Sequence, residues 1–240
     1  MINSPMQTAR AELKMVVLAS RDARAETARA VGLLGVSAGV HDPFIGALGL
    51  ADEVFAVGDT YVQILEPLDE KSRAHRWITR KGGDAGYLLV VQTDDADGVI
   101  QRCAEAGVRV TFDGVFEGNR VVQLHAGDLR ILFEIDEMQH WDTWHWDRPE
   151  TDPAVPEAVS DLVAVDCIVD EPVRLAGLLG TLLAIPHDGG STLTIGGRRV
   201  RFLEGAKTEE GIVAVEFRTS DPSRIGETFP LCGTTIRLVG

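Results

Sequence analysis

A plan repeated four times along the chain limits its folds more than any other feature: an apolar strand-like run, an Asp, then a stretch able to form a helix. The runs occupy residues 13–22 (LKMVVLASRD), 87–95 (YLLVVQTDD), 162–170 (LVAVDCIVD) and 212–221 (IVAVEFRTSD). Each is rich in Val, Ile and Leu, the pattern of a mostly buried strand. The Asp that ends it can cap a following helix by accepting from the first free amides. After the first Asp come residues 23–36 (ARAETARAVGLLGV), and after the second, residues 96–108 (ADGVIQRCAEAGV). Both space apolar side chains at helical intervals and reach a Gly where a helix C-terminus would stop.

Further strand-like runs follow each helix: VFAVGD and TYVQILEP in the first unit, then RVTFDG, NRVVQLHA and LRILFEID in the second. In the third unit a helix over residues 172–186 leads to STLTIGG and RRVRFLEG, with Gly196-Gly197 as the hairpin turn. The fourth unit is abbreviated, since only residues 221–233 separate its first strand from the closing TTIRLVG, room for a helical turn or two. The segment HWDTWHWDRPETDPAVPEAV lies between the halves, and its proline-rich part reads as a linker. The expected architecture is therefore α+β, four modules in two tandem domains, residues 1–150 and a shortened, degenerate 151–240.

Composition narrows the function classes. At 240 residues, with 45% hydrophobic and 25% charged side chains, the chain has the profile of an ordinary globular protein. A net charge of −14 argues against a nucleic-acid partner. No apolar run reaches the ~18 residues of a membrane span, and the first fifteen residues hold no secretory apolar block. Cys103, Cys167 and Cys232 each lie in an apolar stretch and read as buried reduced thiols, so a cytoplasmic location is expected.

Strand-helix-strand modules in pairs resemble the vicinal oxygen chelate (glyoxalase, bleomycin-resistance and extradiol dioxygenase) superfamily. The likeness is closest over residues 50–137, where it narrows to the methylmalonyl-CoA epimerase branch. It is carried there by VFAVGDTYVQILEPL (54–68), by the short crossover from Asp69 to Ile78, by residues 94–108, and by Asn119-Arg120 with Leu124-His125. The resemblance implies βαβββ half-barrel cups, each holding one small molecule. It also implies a divalent metal gripped by His, Gln and Glu from the first and last strands of two modules. Carried over by position, those seats fall at Met15, Gln63, Leu88 (Tyr87 if the register slips) and Glu134, and in the second half near Val163, Arg201, Ala214 and Arg237. A thioether and an alkyl chain cannot replace imidazoles for a hard cation. No metal and no other cofactor is therefore expected.

The same branch uses two carboxylates as acid and base on opposite faces of the substrate α-carbon, and these positions fall at Glu53 and Glu134. Glu134 could equally be a solvated strand carboxylate, and Glu53 is more readily a solvated loop carboxylate. Met15, Gln63 and Leu88 are expected to line the ligand cup, with His41 and Phe44 in the loop VHDPFIG over its mouth. Arg73, Arg76, Arg80 and Lys81 are candidates for the phosphates of a CoA-type ligand, or form a solvated helix face. His125 reads as a turn residue. Trp141, Trp144 and Trp146 are expected to seal the contact between the halves; the His residues among them are spaced wrongly for one helical face and point away from a metal site.

Two functions stay open. One is an isomerase or lyase acting beside the carbonyl of a small carbonyl or acyl compound by metal-free proton transfer. The other is a non-catalytic binder of the bleomycin-resistance type that sequesters a small molecule. The ligand is in either case a small molecule, with no nucleic acid or membrane as partner, and modules could pair within the chain or across a homodimer.

Overall fold

The computed structural model describes residues 9–37, 39–42, 45–145 and 158–240. Strand β1 (Ala11–Ala19) gives way to α1 (Ala23–Leu34) through Asp22, whose carboxylate accepts from the Ala25 amide at 2.8 Å; the helix stops at Gly35 in the left-handed region. A hairpin of β2 (Leu50–Val57) and β3 (Thr60–Pro67) follows. Ser72 then caps α2 (Arg73–Lys81), which crosses to the second unit. That unit contains β4 (Ala85–Thr93), α3 (Ala96–Ala106) capped by Asp95, β5 (Val110–Phe116), β6 (Asn119–Leu124), the single turn α4 (Ala126–Leu129) and β7 (Leu132–Glu137). The second half runs β8 (Val159–Val169), α5 (Pro172–Leu182), β9 (Thr192–Ile195), β10 (Arg198–Glu204), β11 (Gly211–Thr219), β12 (Thr228–Leu231) and β13 (Thr234–Val239).

Three local details depart from the repeated plan. Asp170 does not cap α5: it pairs with Arg130 at 3.2 Å, and Pro172 in the first helical turn has no amide hydrogen that needs an acceptor there. The fourth unit's helix shrinks to one 3₁₀ turn, Pro222–Arg224, held by Asp221 accepting from the Ser223 amide at 2.9 Å. In the first unit the segment before β2 adds only a bridge, Val40 to Val54, where the second unit has a full strand.

The strands form two sheets, β2-β3-β1-β4-β7-β6-β5 and β12-β13-β11-β8-β10-β9. In each, two first strands pair antiparallel at the centre (β1 with β4, β8 with β11) and each is flanked by a parallel partner from its own unit. The result is the expected α+β architecture of tandem half-barrel cups, each sheet built about a pseudo-twofold axis.

Alternation along the strands separates the two faces of each sheet. Leu13, Val16 and Leu18 of β1, Leu89 and Val91 of β4, and Phe133 and Ile135 of β7 enter a core that also takes Val165 and Cys167 of β8 and Phe217 of β11. One apolar core thus serves both sheets, with α1, α3 and α5 contributing to it. Where β4 meets β11, a Cβ on Gly86 would lie 2.5 Å from Cβ of Ile212, so only glycine permits that approach. Lys81 Nζ donates to the Thr208 and Glu210 carbonyls at 3.2 and 2.9 Å, and Glu26 accepts from the Cys232 amide at 2.8 Å. The three cysteines are buried and unbridged, and no helix among the described residues is long and apolar enough to cross a membrane.

Candidate active site

The faces turned away from the shared core are the cups. In the first, alternation brings Met15 and Val17 (β1), Tyr61 and Leu65 (β3), Val54 (β2) and Val90 (β4) into one apolar lining. The polar side chains on this face fall into three groups.

Asp52 and Gln63 form the first. Gln63 Nε2 donates to Asp52 Oδ2 at 2.7 Å, the Asp42 amide donates to the same carboxylate at 3.2 and 3.3 Å, and Asp52 is only 3% exposed. Burial pushes the Asp52 carboxyl up to about 6, against the pull of the Gln63 and Asp42 donors. Gln123 and Glu134 form the second group, on β6 and β7. Gln123 Nε2 donates to Glu134 Oε2 at 2.7 Å, and Arg73 Nη1 donates to Gln123 Oε1 at 3.3 Å. Burial, then the neighbouring Asp136 charge, raises Glu134 to about 8, and Asp42 adds to the rise. The field of Asp42 thus acts on Asp52 and Glu134 alike. Asp136 and His145 form the third: His145 Nε2 lies 2.8 Å from Asp136 Oδ2, and burial raises the Asp136 carboxyl although this imidazole opposes the rise.

The tryptophan-rich segment corrects an expectation. Trp144 does not lie between the halves. It folds back into the first cup and stacks on Tyr61 with ring centroids 5.8 Å apart and 10° between planes. Gln92 Nε2 holds the turn before it by donating to the Trp141 carbonyl at 2.7 Å, and Trp141 carries the Arg10 guanidinium 4.9 Å above its ring. Trp146 lies outside the described residues, as does Phe44.

Parity also moves one of the two carboxylates. Glu53 pairs with Ile64 and alternates with Asp52 and Val54, so it leaves the cup face; its Oε1 sits 3.5 Å from Nε2 of His41. The carboxylate that β2 turns into the cup is Asp52. His41 remains largely exposed, with Nδ1 2.6 Å from the Asp52 carbonyl. Met15 and Leu88 do line the cup, Leu88 half-buried, but Gln63 stands beside Val17 and Glu134 beside Val90. Lys81 is drawn away from the cup by its bonds to the second half, and burial with the Arg80 charge lowers its ammonium pKa. Arg73, Arg76 and Arg80 stay at the cup's edge, lining with Trp77 and Tyr87 a cleft of about 180 Å³. A larger cleft of about 420 Å³, between Asp94, Arg120, Glu137 and Trp141, contains none of the three groups above.

The residues do not fit the divalent metal that such cups commonly hold. Gln63 and Glu134 offer oxygen, but Gln63 donates its amide to Asp52, and the seats beside them, Val17 and Val90, are aliphatic. Among the described residues, no three His, Cys, Asp or Glu side chains are grouped to hold an ion.

No protein-family model matches this chain, and no curated protein does. Solved structures do. A variant of Streptomyces coelicolor methylmalonyl-CoA epimerase in complex with 2-nitronate-propionyl-CoA is 22% identical over 54% of this chain and 98% of its own, with a TM-score of 0.48. The Mycobacterium tuberculosis methylmalonyl-CoA epimerase is 22% identical over 54% of this chain and 89% of its own, at 0.49. A hypothetical protein from Bacillus halodurans C-125 is 22% identical over 54% and 96%, at 0.48. The epimerases among these neighbours belong to the vicinal oxygen chelate superfamily, and the likeness covers about half of this chain.

Proposed function

We propose that the first cup binds a small carbonyl or acyl compound and moves a proton at the carbon beside its carbonyl without a metal, with Asp52 as base and Glu134 as acid. One observation carries this reading: two carboxyl groups on the cup face, a buried Asp52 and a half-buried Glu134, each accept a hydrogen bond from their own glutamine, and burial raises both, to different heights. At neutral pH a carboxyl titrating near 6 is mostly ionised, whereas one near 8 is mostly protonated. A pair separated in this way divides into a proton acceptor and a proton donor.

In the step proposed, the α-C–H bond breaks, its electron pair becomes the enolate, and the proton passes to an Asp52 oxygen. The Glu134 O–H then returns a proton to the carbon from the other side, and a new C–H bond forms. Before that transfer, the same O–H can hydrogen-bond to the developing oxyanion, which lowers the barrier without a metal. Gln63 and Gln123 orient the two carboxyls, and Arg73 fixes Gln123 in turn. The cleft lined by Arg73, Arg76 and Arg80 suits an anionic arm of the ligand, the arrangement a CoA thioester would need. Trp144 occupies part of the lining and would have to yield space on binding.

A second reading draws on Trp144 itself. Its stacking on Tyr61 makes the cup an aromatic slot, suited to retaining a flat apolar molecule without chemistry. Deuterium exchange into the α-position of an acyl thioester such as propionyl-CoA separates the two. Catalysis predicts exchange that falls about a hundredfold or more in Glu134→Gln and in Asp52→Asn, with binding retained. A pure binder shows no exchange in any form.

A further inference from the structure

The second sheet keeps the register of the first but changes its chemistry. Where Gln63 stands beside Val17 and Glu134 beside Val90, the second sheet sets Arg201 beside Asp166 and Arg237 beside Glu216. These four side chains interlock. Arg201 reaches Asp166 and Glu216 at 2.5 Å each, and Arg237 reaches Asp166 at 2.6 Å and Glu216 at 3.4 Å. The carboxylate side chains lie underneath, 6% and 11% exposed, while the arginine side chains above them are 28% and 37% exposed. Arg201 Nη1 and Arg237 Nε and Nη2 make no hydrogen bond among the described residues. Two residues along the same strands, Arg199 and Arg218 add exposed cations to this face. Four arginines over two buried carboxylates leave a positive surface on a chain of net charge −14.

We propose that this face binds a small oxyanion, a carboxylate or a phosphate, between Arg201 and Arg237. The buried carboxylates hold both forks in place, so little side-chain freedom is lost when a ligand arrives. The forks are related by the sheet's pseudo-twofold axis, one on each side of the central β8–β11 pair. A ligand with oxygens on opposite sides, such as phosphate or a short dicarboxylate, matches that spacing of donors. In register, the site stands where the first sheet carries Gln63 and Glu134, but it is built for the opposite charge to a cation.

Calorimetric titration of the full chain at low ionic strength, with inorganic phosphate and separately with succinate, tests this. Saturable binding of at least one probe is expected, with a Kd of about 1 mM or tighter. Phosphate alone assigns a phosphoryl ligand, and succinate alone a carboxylate. Arg201→Lys or Arg237→Lys should weaken binding about tenfold, since ammonium cannot make the bidentate contact. Arg199→Gln and Arg218→Gln, outside the buried cluster, should weaken it about two- to fivefold with unchanged melting, and they stand as the test if the lysine variants fail to fold. The proposal is overturned if neither probe saturates. It is equally overturned if folded variants at these arginines bind as tightly as the parent, which would put the anion elsewhere, for instance against α2.

Discussion

Asp52 and Glu53 are chemical near-equals and neighbours in sequence, and strand parity alone decides which of them faces the cup. β2 is the edge strand of the sheet, flanked along its length by β3 and on the other side only by the Val40–Val54 bridge, so that parity follows mainly from pairing with β3, where Val54 faces Gln63. A run reading ADEVFAV does not disclose such a pairing, and the resemblance alone places the carboxylate at Glu53. Glu134, by contrast, sits between Phe133 and Ile135 of an interior strand; alternation shows that it faces away from them, but not whether that face is a cup or solvent. For Glu134 the pH dependence has a definite sign. Folded, it keeps its proton to about 8; unfolded, it releases it near 4.5, so the folded state loses stability as pH rises between those values. Chemical denaturation should therefore show Glu134→Gln gaining about 1–3 kcal/mol over the parent on going from about pH 5 to about pH 9. An unchanged difference across that range would mean that Glu134 is not held protonated. Gln63→Leu should act oppositely on Asp52. It removes a donor, costs about 1–3 kcal/mol of stability, and moves the acidic limb of any pH–rate profile upward by about one unit.

At the scale of elements, the strands, their order and four of the helix caps follow from residues that mean the same thing wherever they occur: Asp22 and Asp95 before helices, Gly35 and Gly107 after them. Elements settled by distant partners were less legible. Strand β12 contains Pro230, which usually argues against a strand, but it is an edge strand and can spare that donor. The return of residues 138–145 into the first cup depends on Tyr61 and Gln92, both distant in sequence, together with Asp136 just before the segment. Trp144 is only 9% exposed, so Trp144→Ala should cost about 2–4 kcal/mol and lower the melting temperature. The same change enlarges the cup, and ligand affinity should hold or improve as stability falls. Calorimetric titration of the variant with an acyl thioester checks this, and a parallel loss of affinity would make Trp144 a wall of the ligand site.

For the whole molecule, the notable consequence of the fold is that two sheets with different cups share one core. Side chains of both sheets and of α1, α3 and α5 meet in it, and Gly86 allows the closest approach of β4 to β11. A cooperative unit of this kind should melt in one calorimetric transition. Gly86→Val, which forces a side chain into Ile212, should lower that single transition by about 2 kcal/mol or more and leave it single. Two separate transitions in the parent protein would contradict a shared core. Placed on opposite sides of that core, the cups are free to differ: the first carries titrating carboxyls, the second a charge-paired arginine cluster.

The proposed acid–base pairing of Asp52 and Glu134 is tested most directly by the rate of α-deuterium exchange in an acyl thioester, followed by NMR across pH in metal-depleted protein. A bell-shaped profile with limbs near 6 and 8 is expected, with no gain on adding divalent metal and loss of the bell in Asp52→Asn and Glu134→Gln. Exchange that persists at the parent rate in both variants, or that appears only with added metal, would contradict it.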